Sequence, residues 1–592
     1  MANALLLSPF NESGGSRLQQ ETESVSKGYS RGFRCLVLFV TIVGLAPGQT
    51  LLKYFDLGTY GTTCCMATDV NGDVYVVGNI ANQNLAAKVT VTKVDRANHV
   101  VYQFTFGGSA VDAPKAAVVH AEGNLFVVGL TSSADFPQLH PLVKIGPSTH
   151  LRGFISKVDP TGTHLLFSTF FGGSQSDAEV DALALDAQGN LFVTGMGDVP
   201  VTANAYKTTG ASFVSKVSNA GDQILYSTFL GPVSDGLAIA VSADGTATAA
   251  GSTGGGFPIT PGAFQTSCAC GAFGGPNPTS SHSASFVSRL SADGSQLLWS
   301  TYLGGSGQGG LGGAFEDTVH ALALTSEGDV VVAGITESPN FPVTPGAFQR
   351  TFRATGGFGI PANIFVSRLN STGTALKFST FLGGSVLEEF HGLQLDAQER
   401  PWVTGDTLSW DFPSLPNALN LGRAFVVAVA PDGSKLITTQ MLPAGAAGTA
   451  VALDAAGNET LLGPIGSLVR IPAGGPVGTG ILAQANGAAY SASGQVAPGE
   501  IISLYGTGLG PAAGVGARYD STGKIATTLA GVQVLFDDTP APMLYAGANQ
   551  INAIVPFEVG GKTSTSMHVA SALNASPSVD LKSYRATRRS LQ

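Results

Sequence analysis

Residues 165–195 read LLFSTFFGGSQSDAEVDALALDAQGNLFVTG. The stretch holds short apolar runs, STFF, ALAL and LFVTG, each bounded by glycine or polar clusters. Runs this short cannot make helices, and their Phe, Val, Leu and Thr content reads as strands joined by tight turns. The stretch also recurs. Its turn and following strand return as DVNGDVYVVG ending at Gly78, HAEGNLFVVG at Gly129, DAQGNLFVTG at Gly195, SADGTATAAG at Gly251, TSEGDVVVAG at Gly334, DAQERPWVTG at Gly405 and DAAGNETLLG at Gly463. Self-similarity at a spacing of tens of residues signals a repeat architecture.

The third copy shows four strands per unit: a, DALAL at 181–185; b, NLFVTG at 190–195; c, SFVSKV at 212–217; and d, QILYSTFL at 223–230. Strand c recurs as GFISKVD at 153–159, SFVSRLS at 285–291, IFVSRLN at 364–370 and AFVVAVA at 424–430. Strand d recurs as YQFTFGG, LFSTFFGG, LWSTYLGG and KFSTFLGG, ending at Gly108, Gly173, Gly305 and Gly384. Seven units of four antiparallel strands predict an all-β fold, a seven-bladed β-propeller. Strand a alternates small and large residues (Ala182, Leu183, Ala184, Leu185; Ala321, Leu322, Ala323, Leu324; Ala450, Val451, Ala452, Leu453), as the crowded inner position of a tapering blade requires.

The last unit supplies only ETLLG and SLVRIPA, residues 459–463 and 467–473, after its turn. Its fourth strand is expected from the other terminus. LLKYFDLG at 51–58 copies the d pattern, and pairing it into the last blade would close the ring and remove an exposed edge. Burial of Leu52, Tyr54, Phe55 and Leu57, at roughly 1.5–3 kcal/mol each, would supply several kcal/mol. The expected domains are an extension with signal peptide over 1–48, the propeller over 49–475, and a small β-sandwich-like domain over 476–592.

These repeats resemble the SBBP type of β-propeller repeat of large secreted bacterial proteins. The resemblance is carried by STFFGGS at 168–174, DAQGNLFVTG at 186–195, NFPVTPGAFQ at 340–349 with GFPITPGAFQ at 256–265, and FVSRL at 286–290 and 365–369. It covers residues 51 to about 473. The fourth unit departs from the pattern, with GPVSDG after Leu230, and so does the seventh, with NETLLG. The resemblance implies architecture and no defined chemistry. From about residue 476, NGAAYSASGQVAPGEIISLYGTGLGP (486–511) and GVQVLFDDTPAPMLYAGANQINAIVPFEV (531–559) resemble a carboxy-terminal domain of secreted acidobacterial proteins, similar in strand pattern to Ig-like or TIG-like sandwiches. Residues 571–592 lose that pattern, so the domain is expected to be truncated there.

Residues 35–46, CLVLFVTIVGLA, follow Arg31 and Arg34 and precede small residues around Ala46 and Gly48. The run has signal-peptide length and is short for a membrane span. The expectation is a secreted monomer with no membrane span after cleavage; the competing reading is a buried strand. With 12% charged residues and 78 glycines, the composition fits many turns between buried strands. A net charge of −10 offers no basic footprint for nucleic acid or anionic lipid. The Cys64–Cys65 and Cys268–Cys270 neighbours do not form the framework of a small stapled domain. CAC at 268–270 reads as a local bridge or two incidental thiols rather than half of a zinc site.

In a propeller the d–a and b–c connections share a face, and the b–c links after Gly251 and Gly334 run to about thirty residues each, making that face the default ligand surface. The d–a links carry Asp112, Asp177, Glu179, Asp235, Glu316, Asp317, Glu388 and Glu389. Gathered carboxylates could hold calcium, but no DxDxDG loop occurs, which favours solvated turn residues and no cofactor. Aligning the a strands on the turns places Cys64, Lys115, Asp181, Leu237, His320, His391 and Thr449 at one equivalent position near the channel mouth. Asp181, His320 and His391 are the candidate binding residues there, able to hold a transition metal or act as acid and base; polar lining is the plainer alternative. No GxSxG or HExxH motif occurs, and GGSGQGGLGG at 304–313 lacks a following helix or GK[ST]. The leading expectation is a non-enzymatic scaffold binding an extracellular glycan or protein. A polysaccharide hydrolase or lyase and a structural spacer are the alternatives.

Overall fold

The computed structural model describes residues 53–54, 61–81, 87–96, 99–143, 150–268, 270, 282–306, 315–355, 361–409, 411–413, 419–420, 424–442, 450–453, 459–462, 467–471, 480–486, 495–548, 550–571 and 579–583. The expected signal segment, Thr449, and Leu52, Phe55 and Leu57 of the closing strand lie outside them.

The chain is all-β and repeats one antiparallel sheet of four strands. Sheet I holds Gly61–Thr68, Val74–Ala81, Ala87–Val94 and Val100–Phe106; sheet II holds Asp112–Val119, Leu125–Thr131, Arg152–Val158 and Leu165–Phe170. Sheet III holds Glu179–Leu185, Leu191–Met196, Ser212–Val217 and Ile224–Gly231; sheet IV holds Ser234–Val241, Ala247–Thr253, His282–Leu290 and Leu297–Leu303. Sheet V holds Phe315–Leu324, Val330–Thr336, Asn363–Leu369 and Leu376–Leu382; sheet VI holds Glu388–Leu395, Pro401–Thr407, Ala424–Val429 and Leu436–Leu442. Sheet VII joins Ala450–Leu453, Glu459–Leu462 and Ser467–Ile471 to Lys53–Tyr54, which pairs antiparallel with Ser467–Leu468.

Period-two alternation buries both faces of sheets II to V. Leu125 and Val127 of sheet II pack with Tyr75 and Val91 of sheet I, while Phe126 and Val128 pack with Val180 and Phe213 of sheet III. The inner strands follow the small–large alternation: Leu183 and Leu185 pack toward sheet II, and Ala182 and Ala184 pack toward sheet IV. Inner strands of successive sheets lie side by side from I to VII, and Ala450–Leu453 packs against Gly61–Thr68.

The repeated side chains have structural duties. The serines of FVS and FST bond across strands c and d at Ser156–Ser168, Ser215–Ser227, Ser288–Ser300 and Ser367–Ser379, all buried. The strand-c lysines lie over strand-b rings, Lys157 over Phe126 and Lys216 over Phe192. The phenylalanine of each FP pair stacks on a strand-c ring, Phe257 on Phe286 at 4.1 Å and Phe341 on Phe365 at 4.3 Å.

The described portions of the long b–c links also have a structural duty. They run along the outer strand: Thr260 N donates to Ser300 O and Thr344 N to Ser379 O, while Tyr302 N and Phe381 N donate to Gln265 O and Gln349 O. An outer strand left bare would expose unpaired backbone groups, and NFPVTPGAFQ covers that edge.

Residues beyond 480 form two five-stranded sheets. Ile502, Leu504, Ile551 and Ala553 of one share a core with Val534, Phe536, Met567 and Val569 of the other, a sandwich arrangement. The tail expected to lose the strand pattern contains one described strand. Val579–Ser583 pairs with Ser564–Met567, and Leu581 joins the core, because VDLKS keeps an apolar–polar alternation of its own.

Candidate functional site

Each described inner strand of sheets I–VI carries a register shift near its start. The shifts lie between Thr63 and Cys65, Pro114 and Ala116, Val180 and Ala182, Gly236 and Ala238, Val319 and Ala321, and Phe390 and Gly392. The extra residue is Cys64, Lys115, Asp181, Leu237, His320 or His391, the position that alignment of the turns makes equivalent. A bulge frees one side chain from the ladder and re-aims it. The strand-b glycine opposite is part of the device: a Cβ on Gly129, Gly195, Gly251, Gly334 or Gly405 would strike the carbonyl oxygen of Ala113, Glu179, Asp235, Thr318 or Glu389. The last glycine of the DAQGNLFVTG repeat thus exists for a bulge on the neighbouring strand.

Asp181 belongs to a charged group drawn from sheets II, III and IV. Lys115 Nζ lies 3.1 Å from Glu179 Oε2 and 3.4 Å from Asp181 Oδ1. Burial, then the charge of Asp235, push the Asp181 carboxyl up to about 7 despite Lys115. Burial, then Glu179, push Asp235 up to about 6. Asp181 Oδ2 and Asp235 Oδ1 are buried without a hydrogen-bond partner. Burial opposes the charge on Lys115, but Asp181 and Glu179 outweigh it and raise its pKa.

His320 and His391 occupy a second region, on sheets V and VI. The His320 ring stacks on Phe390 at 6.1 Å. Its surface reaches solvent while protein crowds its other sides, and this desolvation, followed by the charge of His391, lowers its pKa. A cavity of about 310 Å³ is lined by His320, Ile335, Glu337, Ala362, Leu387, Glu388 and Glu389. His391 Nε2 lies 3.4 Å from Asp406 Oδ2 and 3.8 Å from Glu389 Oε2. Asp406 is absent from the sequence-derived set. It follows the motif glycine on strand b, where the other described copies carry Asn79, Leu130, Met196, Ser252 and Ile335, and that difference was the available signal.

The acidic d–a residues separate into classes that the sequence did not distinguish. Asp112, Asp317 and Glu388 are buried rather than solvated. Asp112 accepts from Gly108 N and Thr131 Oγ1; Asp317 accepts from Gly305 N, Thr336 Oγ1 and Ser338 Oγ; Glu388 accepts from Gly384 N, Asn363 Nδ2, Thr407 Oγ1 and Ser409 Oγ. These carboxylates anchor the glycine turn after strand d. Asp177 accepts from Leu151 N at the surface. The Glu316 side chain lies outside the described set. Cys268 bonds to Cys270, the local-bridge alternative for CAC, and Cys64 bonds to its neighbour Cys65.

No family model matches the chain, and no curated protein matches it. Among solved structures it is similar to the WD40 β-propeller domain of Doa1, at 9% identity over 72% of this chain and 95% of that one, with a TM-score of 0.39. It is also similar to a protein from Lactobacillus plantarum, at 12% identity over 64% of this chain and 85% of that one, with a TM-score of 0.34.

Proposed function

We propose that this chain is a secreted seven-bladed β-propeller of the SBBP repeat type, closed by its N-terminal strand, that serves as a scaffold binding an extracellular glycan or protein. The ring reading is supported by the pairing of Lys53–Tyr54 with Ser467–Leu468 and by the packing of each inner strand on the next, the last on the first. Removing residues 49–58 is expected to lower the melting temperature or oligomerise the protein. An unchanged monomer would refute closure.

The binding reading rests on one observation: a repeated bulge presents unlike side chains, Lys115, Asp181, Leu237, His320 and His391, from a common scaffold position. A rigid frame with varied polar groups at one rim suits recognition. Glycan arrays and capture of extracellular proteins test it. Binding should weaken in Asp181→Asn and His320→Ala while melting remains cooperative, and retention of full binding by both variants would refute the site.

The polysaccharide hydrolase or lyase reading draws support from Asp181 and Asp235, whose raised pKa values near neutrality suit an acid and base. Release of sugar ends from a polysaccharide, abolished by Asp181→Asn, would favour it over the scaffold.

A further inference from the structure

Sheet VI differs from its siblings at one cross-strand position. Glu389 and Asp406 stand directly opposite each other on its first two strands. The same place holds Thr62–Asn79, Ala113–Leu130, Glu179–Met196, Asp235–Ser252 and Thr318–Ile335 in the other described sheets. Two carboxylates opposed across a ladder repel each other and need a counter-charge.

The next bulge residue aims an imidazole between them. His391 Nε2 is 3.4 Å from Asp406 Oδ2 and 3.8 Å from Glu389 Oε2, yet Nε2 is a buried atom without a hydrogen-bond partner, as is Asp406 Oδ1. The nitrogen faces two oxygens and bonds to neither, as donors do when they converge on a shared ion. One ligand atom from each residue lies within 4.8 Å of the others. Ligands at 2.0–2.2 Å around a tetrahedral ion are about 3.3–3.6 Å apart, so small side-chain adjustments complete the set.

We propose that Glu389, His391 and Asp406 bind one divalent transition-metal ion, for which zinc is the fitting probe. An imidazole with carboxylates selects such an ion over calcium, which takes oxygen donors alone. Three protein donors leave a fourth position for water or a ligand oxygen, and Glu389 also lines the cavity beside His320. The bulge supplies the geometry and the motif glycine supplies the bulge. The inference is independent of whether the protein binds glycan or protein.

The test uses the whole chain, stripped with a chelator and titrated calorimetrically with zinc chloride, with cobalt(II) absorption as a second readout. One zinc per chain should bind and raise the melting temperature. Cobalt should give the visible bands of a nitrogen–oxygen site. His391→Ala and Asp406→Asn should each weaken zinc binding by at least about tenfold and lose the cobalt bands, while His99→Ala, at an exposed imidazole between two strands of sheet I, keeps both. Glu389→Gln, at an exposed side chain, should weaken binding without altering the fold, which guards against misfolding of the other variants. Absence of saturable zinc binding, or equal affinity in wild type, His391→Ala and Asp406→Asn, would overturn the proposal. In that case the imidazole only packs between two carboxylates.

Discussion

Along the outer strands, Ser156–Ser168, Ser215–Ser227, Ser288–Ser300 and Ser367–Ser379 repeat one buried hydrogen bond from sheet to sheet. At the inner bulge the same four sheets present Lys115, Asp181, Leu237 and His320. The two regions obey different constraints. Outer strands must pack on both faces and seal an edge, so one solution serves sheets II to V, while Thr92–Gln103 and Val427–Thr439 hold the same place in sheets I and VI. A bulged side chain lies outside the ladder, so its identity is free to vary and the sheet survives. The repeats agree where packing decides and diverge where the ladder leaves a side chain unconstrained.

That contrast can be tested by substitution, beginning with the bulge itself. Gly334→Ala should be the most damaging change, destabilising by about 3 kcal/mol, because its Cβ would meet the Thr318 carbonyl. A melting temperature equal to wild type would show that the bulge is not what requires glycine. Asp317→Ala should cost about 2–3 kcal/mol in calorimetric melts by removing the buried acceptor of Gly305 N, Thr336 Oγ1 and Ser338 Oγ.

Asp181 sharpens the comparison in the opposite direction. Its carboxyl holds a proton more tightly folded, at about 7, than in the unfolded chain near the ordinary 3.8. The folded state therefore binds extra protons in that window, and stability falls as pH rises through it. Asp181→Asn, neutral throughout, should melt about 1–3 °C above wild type near pH 8 and lose that advantage near pH 4. A constant difference across pH would show that the carboxyl does not titrate there.

At the outer strands, Ser367→Ala should cost about 1 kcal/mol, and the Ser367→Ala, Ser379→Ala pair less than the sum of the singles. His320→Ala should be nearly neutral, within about 0.5 kcal/mol, as expected of a side chain outside the ladder and open to solvent.

The all-β class, the four-strand unit and the equivalence of Lys115, Asp181, His320 and His391 were legible because each follows from short-range alternation and from the spacing of turns. The fate of the carboxylates was not legible. Asp112 and Asp317 stand three residues before Lys115 and His320, whereas Asp177 stands four before Asp181, and what that one-residue difference means appears only when the strands pair and bring the hydroxyl of Thr131 or Thr336. The same holds for the tail, where the short alternation in VDLKS gained meaning only beside Ser564–Met567.

By itself the sequence determined the period, the strands and the position at which each unit would differ, since alternation and turn chemistry act between near neighbours in the chain. Tertiary structure alone decided that this position is a bulge, that Asp181 shares its field with Asp235 and Lys115, and that Asp406 faces Glu389 beside His391. Charge, burial and donor geometry depend on residues from other strands and other sheets, and no local pattern encodes which of them will meet.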